Sequence, residues 1–268
     1  EPSPLIEGSR IGLRMQHCGF WMNWEFTLHD LQSTPGGSPW KCSSVAKGSP
    51  GCILEDRMEY GSSLDLASKV RVGRCVADEL GAVFQARQVR LEEDLRRHRD
   101  EGPSAPLRVG ISGSSGMIGQ ALSNFLETGG HEVIRIVRGR TQHHDTDVHW
   151  DPSRGLVECD RLEGLDAIVH LAGAGIAERR WDKRRKRVLR SSRVGGTLLL
   201  SNALADLEAP PKVLVSASAI GYYGNQAEAV DEGSPPGTGF LPDLCQEWEA
   251  ATRTAYEAGI RVAVPRIG

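Results

Sequence analysis

The chain has 268 residues, of which 39% are hydrophobic and 25% charged, a composition typical of globular domains. Its formal net charge of −3 argues against nucleic acid or an anionic membrane as a partner. Six scattered cysteines without a C-x-x-C pair argue against a zinc site or a disulfide framework. No apolar run approaches the roughly 20 residues that span a bilayer. We therefore expect a cytoplasmic protein.

The N-terminal part of the chain shows two different hydrophobic periods. Short alternating stretches such as WMNWEFTLHDL and CILEDRMEY predict half-buried antiparallel strands within residues 1–63. Over residues 66–98 the apolar side chains fall on one stripe, which predicts a long amphipathic helix. The segment DEGPSAP that follows has the composition of a linker. We therefore predict one domain at 1–100, a linker at 101–106 and a second domain at 107–268.

The second domain alternates apolar strands with helical segments. The predicted strands lie at 107–111, 132–137, 166–171, 212–216 and 260–264. A helix is predicted from Met117, ending at Gly129 and Gly130. Apolar strands separated by helices indicate a parallel sheet that is covered on both faces. The fold class predicted for this domain is therefore α/β, with a doubly wound parallel sheet.

Three glycines separate the first predicted strand from the first helix, in the string ISGSSGMIG. This position in a strand–helix unit is the one that the dinucleotide-binding fingerprint requires. Gly113 would allow a tight turn, Gly116 would let a pyrophosphate approach the backbone, and Gly119 would let the helix pack on the strand. The unpaired N–H groups of the helix N-terminus would bind the anion. The alternative is a plain strand-to-helix turn, which needs fewer spaced glycines.

The residues after the second predicted strand indicate which dinucleotide binds. NAD sites usually place an acidic residue there, which accepts hydrogen bonds from the ribose hydroxyl. This chain has the string IVRGR, in which Arg138 stands 19 residues after Gly119. A guanidinium group suits a 2′-phosphate better than a hydroxyl group. The sequence therefore predicts NADP as the cofactor, the alternative being that Arg138 is a solvated surface residue.

Several strings occur together in the second domain: ISGSSGMIGQAL, DAIVHLAG, RRWDKRRKRVLRSSRVGGT, LVSASAIGYYG, DEGSPPGTGFLPDLCQEWEAAT and AGIRVAVPRIG. On these motifs the chain resembles the epimerase-like branch of the atypical extended short-chain dehydrogenase/reductases. The resemblance implies a Rossmann-type domain over 107–268 that binds NADP and a small-molecule substrate, without the family's C-terminal substrate lobe. It implies cofactor contacts from Gly113, Ser115, Gly116, Met117, Ile118, Gly119, Val137, Arg138, Leu171, Ala172, Gly173 and Arg193.

The N-terminal domain resembles part of a START-like helix-grip domain of the polyketide cyclase type. The strings WEFTLHDL, LEDRMEY and LEEDLRRH carry this likeness. It implies that residues 1–100 form a partial α+β domain with the long helix at its C-terminal end. Some bacterial members of the epimerase-like branch have such a domain in front of the Rossmann domain.

The usual catalytic motif of short-chain dehydrogenases is absent from the sequence. These enzymes place a tyrosine and a lysine on one helix face in the pattern Y-x-x-x-K, and none of the four tyrosines here has a lysine at that spacing. Cys245 and Glu249 occupy the spacing instead. The remaining catalytic candidates are Ser218, Tyr222 and Tyr223, although the tyrosines alone are equally consistent with a packing role.

Two functions therefore remain open. The first is an NADP-dependent oxidoreductase or epimerase with an atypical active site, acting on a sugar-nucleotide-like or carbonyl substrate. The second is a non-catalytic NADP-binding sensor or ligand-binding module. The string TQHHDTDVH lacks a regular ligand spacing, so we expect no metal. The basic string RRWDKRRKRVLRSSR is interpreted as a helix with a solvated face and not as a nucleic-acid site.

Overall fold

The computed structural model describes residues 10–17, 20–30, 52–62, 66–100, 105–138, 147–226 and 228–268. The chain divides into two compact units, Glu1–Leu91 and Glu92–Gly268. Among the residues described, no helix is both long and apolar enough to cross a membrane.

The first unit contains a three-stranded antiparallel sheet in the order β1-β2-β3. Its strands are β1 (Arg10–His17), β2 (Phe20–Asp30) and β3 (Cys52–Ser62). This confirms the antiparallel strands predicted at WMNWEFTLHDL and CILEDRMEY. Helix α1 (Leu66–Asp100) confirms the predicted long helix. Residues 101–104 of the predicted linker lie outside the described residues, and both the domain boundary and the START-like assignment stay predictions.

The second unit is built on a seven-stranded sheet and a separate two-stranded pair. The strands are β4 (Arg108–Ser112), β5 (Glu132–Val137), β6 (Val148–Asp151), β7 (Leu156–Val157), β8 (Ala167–His170), β9 (Val213–Ser216), β10 (Ser218–Ala219), β11 (Arg261–Ala263) and β12 (Arg266–Ile267). The sheet order is β11-β9-β8-β4-β5-β6-β7, and β10 pairs with β12. All neighbours in the large sheet are parallel except β7, which is antiparallel to β6. The five predicted strands are confirmed.

Helices connect these strands. They are α2 (Met117–Thr128), α3 (Lys183–Arg190), α4 (Gly196–Ala205), α5 (Phe240–Ala250) and α6 (Arg253–Glu257). A π-helical turn at Ser191–Gly195 joins α3 to α4, and short 3₁₀ helices lie at Cys159–Arg161 and Ile220–Tyr223. The basic string is therefore helical only from Lys183 onward, since residues 179–182 precede α3, and its last arginine falls in the π-helical turn.

The strand order changes direction between β4 and β8. After β4, the strands β5 and β6 are added on one side of it. The strands β8, β9 and β11 are then added on the other side. This is the Rossmann topology, in which ligands bind in the crevice at the carboxyl ends of the strands where the order reverses. Fully buried side chains from the central strands, such as Ile111, Ile136, Ile168 and Leu214, form the core beneath that crevice.

Candidate functional site

The glycine loop begins directly after β4, at the point of reversal. Gly113 has φ +74°, a conformation that side chains other than glycine rarely adopt. A Cβ atom at Gly113 would lie 2.8 Å from the carbonyl carbon of Leu171, so the loop passes very close to the end of β8. A Cβ atom at Gly119 would overlap the carbonyl oxygen of Gly113 and lie 2.7 Å from Ser114 Cα. These two glycines therefore serve the tight turn and the close packing of α2.

Gly116 has a different environment, which leaves room for a ligand. It is the N-cap residue of α2, with φ −78°, and no side chain of the described residues caps the helix. A Cβ atom at Gly116 would lie 3.3 Å from the carbonyl oxygen of Gly113, with no other atom of the described part of the chain within 4 Å. The space in front of the N-terminus of α2 is thus open on the side where Gly116 lacks a side chain. An anionic group can approach the helix N–H groups there.

The other predicted cofactor residues surround this loop. Ser112 at the end of β4 pairs in register with Ile136 of β5 and with His170 of β8. Val137 ends β5, and Arg138 and residues 171–173 therefore leave the sheet on either side of the glycine loop. Ser115 is exposed at the tip of the loop, and at the start of α2 Met117 and Ile118 are 86% and 42% exposed. Arg138 is exposed and makes no ion pair with the residues that the structure describes.

Arg193 lies against the loop that follows β8. Its Nη1 atom donates a hydrogen bond of 3.0 Å to the carbonyl oxygen of Ala174, and its guanidinium group contacts the open side of Gly173. The same group lies 5.2 Å from the ring centroid of Trp248, a cation–π contact. Burial is the main cause that lowers the pKa of Arg193. The hydroxyl of Ser192 accepts a hydrogen bond from the N–H of Ala174, so the π-helical turn holds both backbone groups of that residue.

The three catalytic candidates contact either Arg266, which the sequence did not single out, or its partner Glu249. Arg266 donates from Nε and Nη2 to the two carboxylate oxygens of Glu249, at 2.9 Å each. Its Nη1 atom donates to the phenolic oxygen of Tyr223 at 2.8 Å, and its Cζ atom lies 3.5 Å from the ring centroid of Tyr222. The hydroxyl of Ser218 donates to Glu249 Oε1 at 2.6 Å. We call these five residues the Arg266 network.

The charges of the network are balanced. Burial disfavours the ionised form of Glu249, but the hydrogen bonds from Arg266 and Ser218 outweigh it and hold the pKa of Glu249 below its ordinary value. The hydrogen bond to Glu249 is likewise the main cause that raises the pKa of Arg266. The pair is therefore ionic at neutral pH. Burial, followed by the charge of Glu249, raises the pKa of the Cys245 thiol, so this cysteine is protonated and is not an activated nucleophile.

The network lies at the same edge of the sheet as the glycine loop. The N–H of Ala217, just after β9, donates to the carbonyl oxygen of His170, the last residue of β8. The N–H of Ser218 donates to the carbonyl oxygen of Pro265, which brings the end of the chain to this edge. The position of Glu249 was visible in the sequence, because it stands at the lysine spacing of the absent Y-x-x-x-K motif. A half-buried carboxylate at that position needs a cation as its partner.

Comparison with known proteins places these observations in a family. Epimerase family protein ML0860 of Mycobacterium leprae is 47% identical over 161 residues, covering 60% of this chain and 52% of the relative. Human epimerase family protein SDR39U1 is 35% identical over 164 residues, covering 59% of this chain and 53% of the relative. The chain thus spans about half the length of the curated relatives it matches.

Two solved structures extend the comparison. The nucleoside-diphosphate sugar epimerase from Corynebacterium glutamicum is 30% identical with a TM-score of 0.64, covering 92% of this chain and 50% of that one. The structure of human SDR39U1 (isoform 2) with NADPH is 33% identical with a TM-score of 0.51, covering 60% of this chain and 53% of that one. The family model for "NAD dependent epimerase/dehydratase family" matches residues 109–242, half of the chain, and the chain therefore belongs to this NAD(P)-dependent family.

Proposed function

We propose that the chain binds NADP at the carboxyl edge between β4 and β8 and acts as an oxidoreductase or epimerase on a carbonyl or sugar-nucleotide-like substrate. The observation that carries this proposal is the open space at Gly116, beside a helix N-terminus that no side chain within the described ranges caps. The residues present therefore fit a dinucleotide, whose pyrophosphate would bind at residues 113–119. When bound, a nicotinamide supplies hydride transfer.

The preference for NADP over NAD rests on Arg138. This residue directly follows β5, where dinucleotide sites recognise the ribose 2′ substituent. Its side chain is exposed and is not engaged in an ion pair within the described part of the chain. The solved structure of human SDR39U1 is of that protein with NADPH, which supports the same choice for this chain.

A non-catalytic NADP-binding module is the second candidate function. The observation that favours it is the replacement of the usual tyrosine and lysine by Cys245 and Glu249 on α5. The observation that favours an enzyme is the Arg266 network, which brings a serine, two phenols and a cation together at the cofactor edge.

Two measurements on the full-length chain test these alternatives. The first is titration of NADPH and NADH fluorescence, for which we expect tighter binding of NADPH. The second is NADPH oxidation with carbonyl probes, namely 4-nitrobenzaldehyde and 9,10-phenanthrenequinone. Binding of NADPH together with oxidation that depends on a probe supports the enzyme. Binding without oxidation by either probe supports the non-catalytic module, and no binding of either nucleotide contradicts both.

A further inference from the structure

We propose that Tyr223 and Arg266 form the acid/base pair of this site and replace the helix-borne tyrosine and lysine of ordinary short-chain dehydrogenases. The inference rests on the proposed enzymatic function and deepens it by naming the proton donor. Tyr223 comes from the 3₁₀ helix after β10, and Arg266 from β12. The pair is thus assembled from two segments that are 43 residues apart, and a search for a local motif does not find it.

The hydrogen bonds leave the proton of Tyr223 available. Arg266 Nη1 is the donor of the 2.8 Å bond, so the phenolic oxygen is its acceptor. No acceptor for the phenolic proton lies among the described residues. Ser218 differs in this respect, because its single hydroxyl proton is already donated to Glu249. Of the two hydroxyl groups that form hydrogen bonds within the network, those of Ser218 and Tyr223, Tyr223 is therefore the one with a proton to give.

The charge beside the phenol suits proton transfer. When the carbonyl carbon of a substrate accepts a hydride, its oxygen needs one proton to become a hydroxyl group. The Tyr223 O–H bond breaks, its proton forms the new substrate O–H bond, and the electron pair stays on the phenolic oxygen. The adjacent guanidinium group stabilises that negative charge, as a lysine does in the ordinary pair. Tyr223 is only 7% exposed, so little water screens the interaction.

Glu249 is a positioning residue in this arrangement. Its two oxygens accept parallel hydrogen bonds from Arg266, which fixes the plane of the guanidinium group. The ring of Tyr222 packs against the same group at 3.5 Å and restrains it further. A lysine at position 249 would repel Arg266 and leave it without a carboxylate. The glutamate at the lysine spacing is thus consistent with a site whose cation, Arg266, comes from β12 and not from α5.

The test compares variants of the full-length chain in NADPH oxidation with the same two carbonyl probes. Tyr223→Phe removes one oxygen atom and keeps the ring, and we expect kcat to fall at least about 100-fold, since a positioned acid contributes roughly 10²- to 10⁴-fold. We expect KM and the dissociation constant of NADPH to stay within about threefold, because the hydroxyl acts only in the chemical step. Tyr256→Phe is the matched control, because Tyr256 is exposed on α6 and should tolerate the change.

Variants of Arg266 test the cation. Arg266→Met should lower kcat as strongly as Tyr223→Phe, whereas Arg266→Lys should restore part of the rate by restoring the charge. Arg266→Met also leaves Glu249 without its partner, which can unfold the site. The double variant Arg266→Met/Glu249→Gln avoids the unpaired carboxylate, and circular dichroism checks its fold. We expect this folded double variant to bind NADPH and to remain slow.

The outcomes separate this inference from the proposed function. A wild-type chain that binds NADPH but reduces neither probe overturns the enzymatic proposal and this inference with it. An active wild-type chain whose Tyr223→Phe variant keeps its kcat overturns only the acid/base assignment. Wild-type kcat in the folded double variant overturns the role of Arg266. Slow variants with unchanged NADPH binding support the pair.

Discussion

The hydroxyl oxygen of Ser112 lies 2.6 Å from Nδ1 of His170, and this hydrogen bond joins the carboxyl ends of β4 and β8 beneath the glycine loop. Both side chains are fully buried. His170 Nε2 has no hydrogen-bond partner among the described residues, and the ring of Trp150 packs edge-on at 5.4 Å. Burial lowers the pKa of His170 to about 4. His170 is therefore a neutral structural histidine at the point where the strand order reverses.

This burial predicts a loss of stability in mild acid. Between about pH 6.5 and about pH 4 the unfolded chain binds a proton at His170 and the folded chain does not, so stability falls as pH falls. With these two pKa values the loss between about pH 7.5 and about pH 5 amounts to roughly 2 kcal/mol. Urea denaturation followed by circular dichroism at the two pH values measures it.

The variant His170→Asn isolates this contribution. Asparagine cannot titrate but can still form a hydrogen bond with Ser112, so its free energy of unfolding should depend less on pH than that of the wild type. The free energies of unfolding of the wild type and of His170→Asn should differ most at neutral pH and approach each other near pH 5. Parallel curves would show that His170 does not carry the pH dependence.

Two glycines of the cofactor loop should respond differently to substitution. Gly119→Ala places a methyl group against the backbone of residues 113–114, and we expect it to destabilise the fold by about 1–3 kcal/mol. Gly116→Val places its side chain in the open space before α2, at a negative φ. We expect this variant to remain folded and to lose NADPH binding, because its side chain occupies the space proposed for the pyrophosphate. Thermal unfolding and NADPH fluorescence titration measure the two effects.

Gly81→Ala provides a control for these variants. A Cβ atom at Gly81 meets no atom of the described residues within 4 Å, and the residue lies within α1, so the change should leave NADPH binding intact. NADPH binding by Gly116→Val at the wild-type affinity would contradict the proposal that the pyrophosphate occupies the space at Gly116. Unfolding of Gly116→Val would instead show that Gly116 serves the packing of the helix.

The parts of this structure that follow from local patterns could be predicted, and those that depend on distant pairs could not. The strands β4, β5, β8 and β9 are short apolar runs between helices, so their period and order predict the Rossmann sheet. The strand β6, VHWD, alternates apolar and polar residues instead of forming an apolar run, and β7 has only two residues, so neither was predicted. The pairing of Arg266 with Glu249 spans 17 residues between a helix and a strand, and no spacing rule describes it.

The ion pair between Arg266 and Glu249 predicts a second pH effect, in stronger acid. The pKa of Glu249 is held below its ordinary value, so the pair stabilises the fold above about pH 4.5 and the stabilisation is lost as pH falls below it. Glu249→Gln should therefore unfold at a lower temperature than the wild type near pH 7. The difference in Tm between the wild type and Glu249→Gln should be smaller at about pH 3.5 than near pH 7. A gap that stays constant with pH would mean that the charge of Glu249 does not stabilise the fold.

The cofactor preference should depend on Arg138. An arginine–phosphate contact is a charge-assisted interaction worth about 1.5–3 kcal/mol, which corresponds to roughly 10- to 150-fold in affinity. We therefore expect Arg138→Asp to weaken NADPH binding by a factor in this range. NADH binding should persist, since an aspartate at the end of β5 can accept hydrogen bonds from the ribose hydroxyl. Fluorescence titration with both nucleotides at one fixed salt concentration measures the change.

Arg261→Asp is a matched charge reversal. Arg261 is exposed at the first residue of β11, whereas the cofactor loops leave the opposite ends of the strands. It should lower the affinities for both nucleotides little and equally, because only the net charge changes. If Arg138→Asp lowers the NADPH affinity no more than Arg261→Asp does, the effect is one of general charge, and Arg138 does not contact the 2′-phosphate. Equal affinities of the wild type for NADPH and NADH would lead to the same conclusion without any variant.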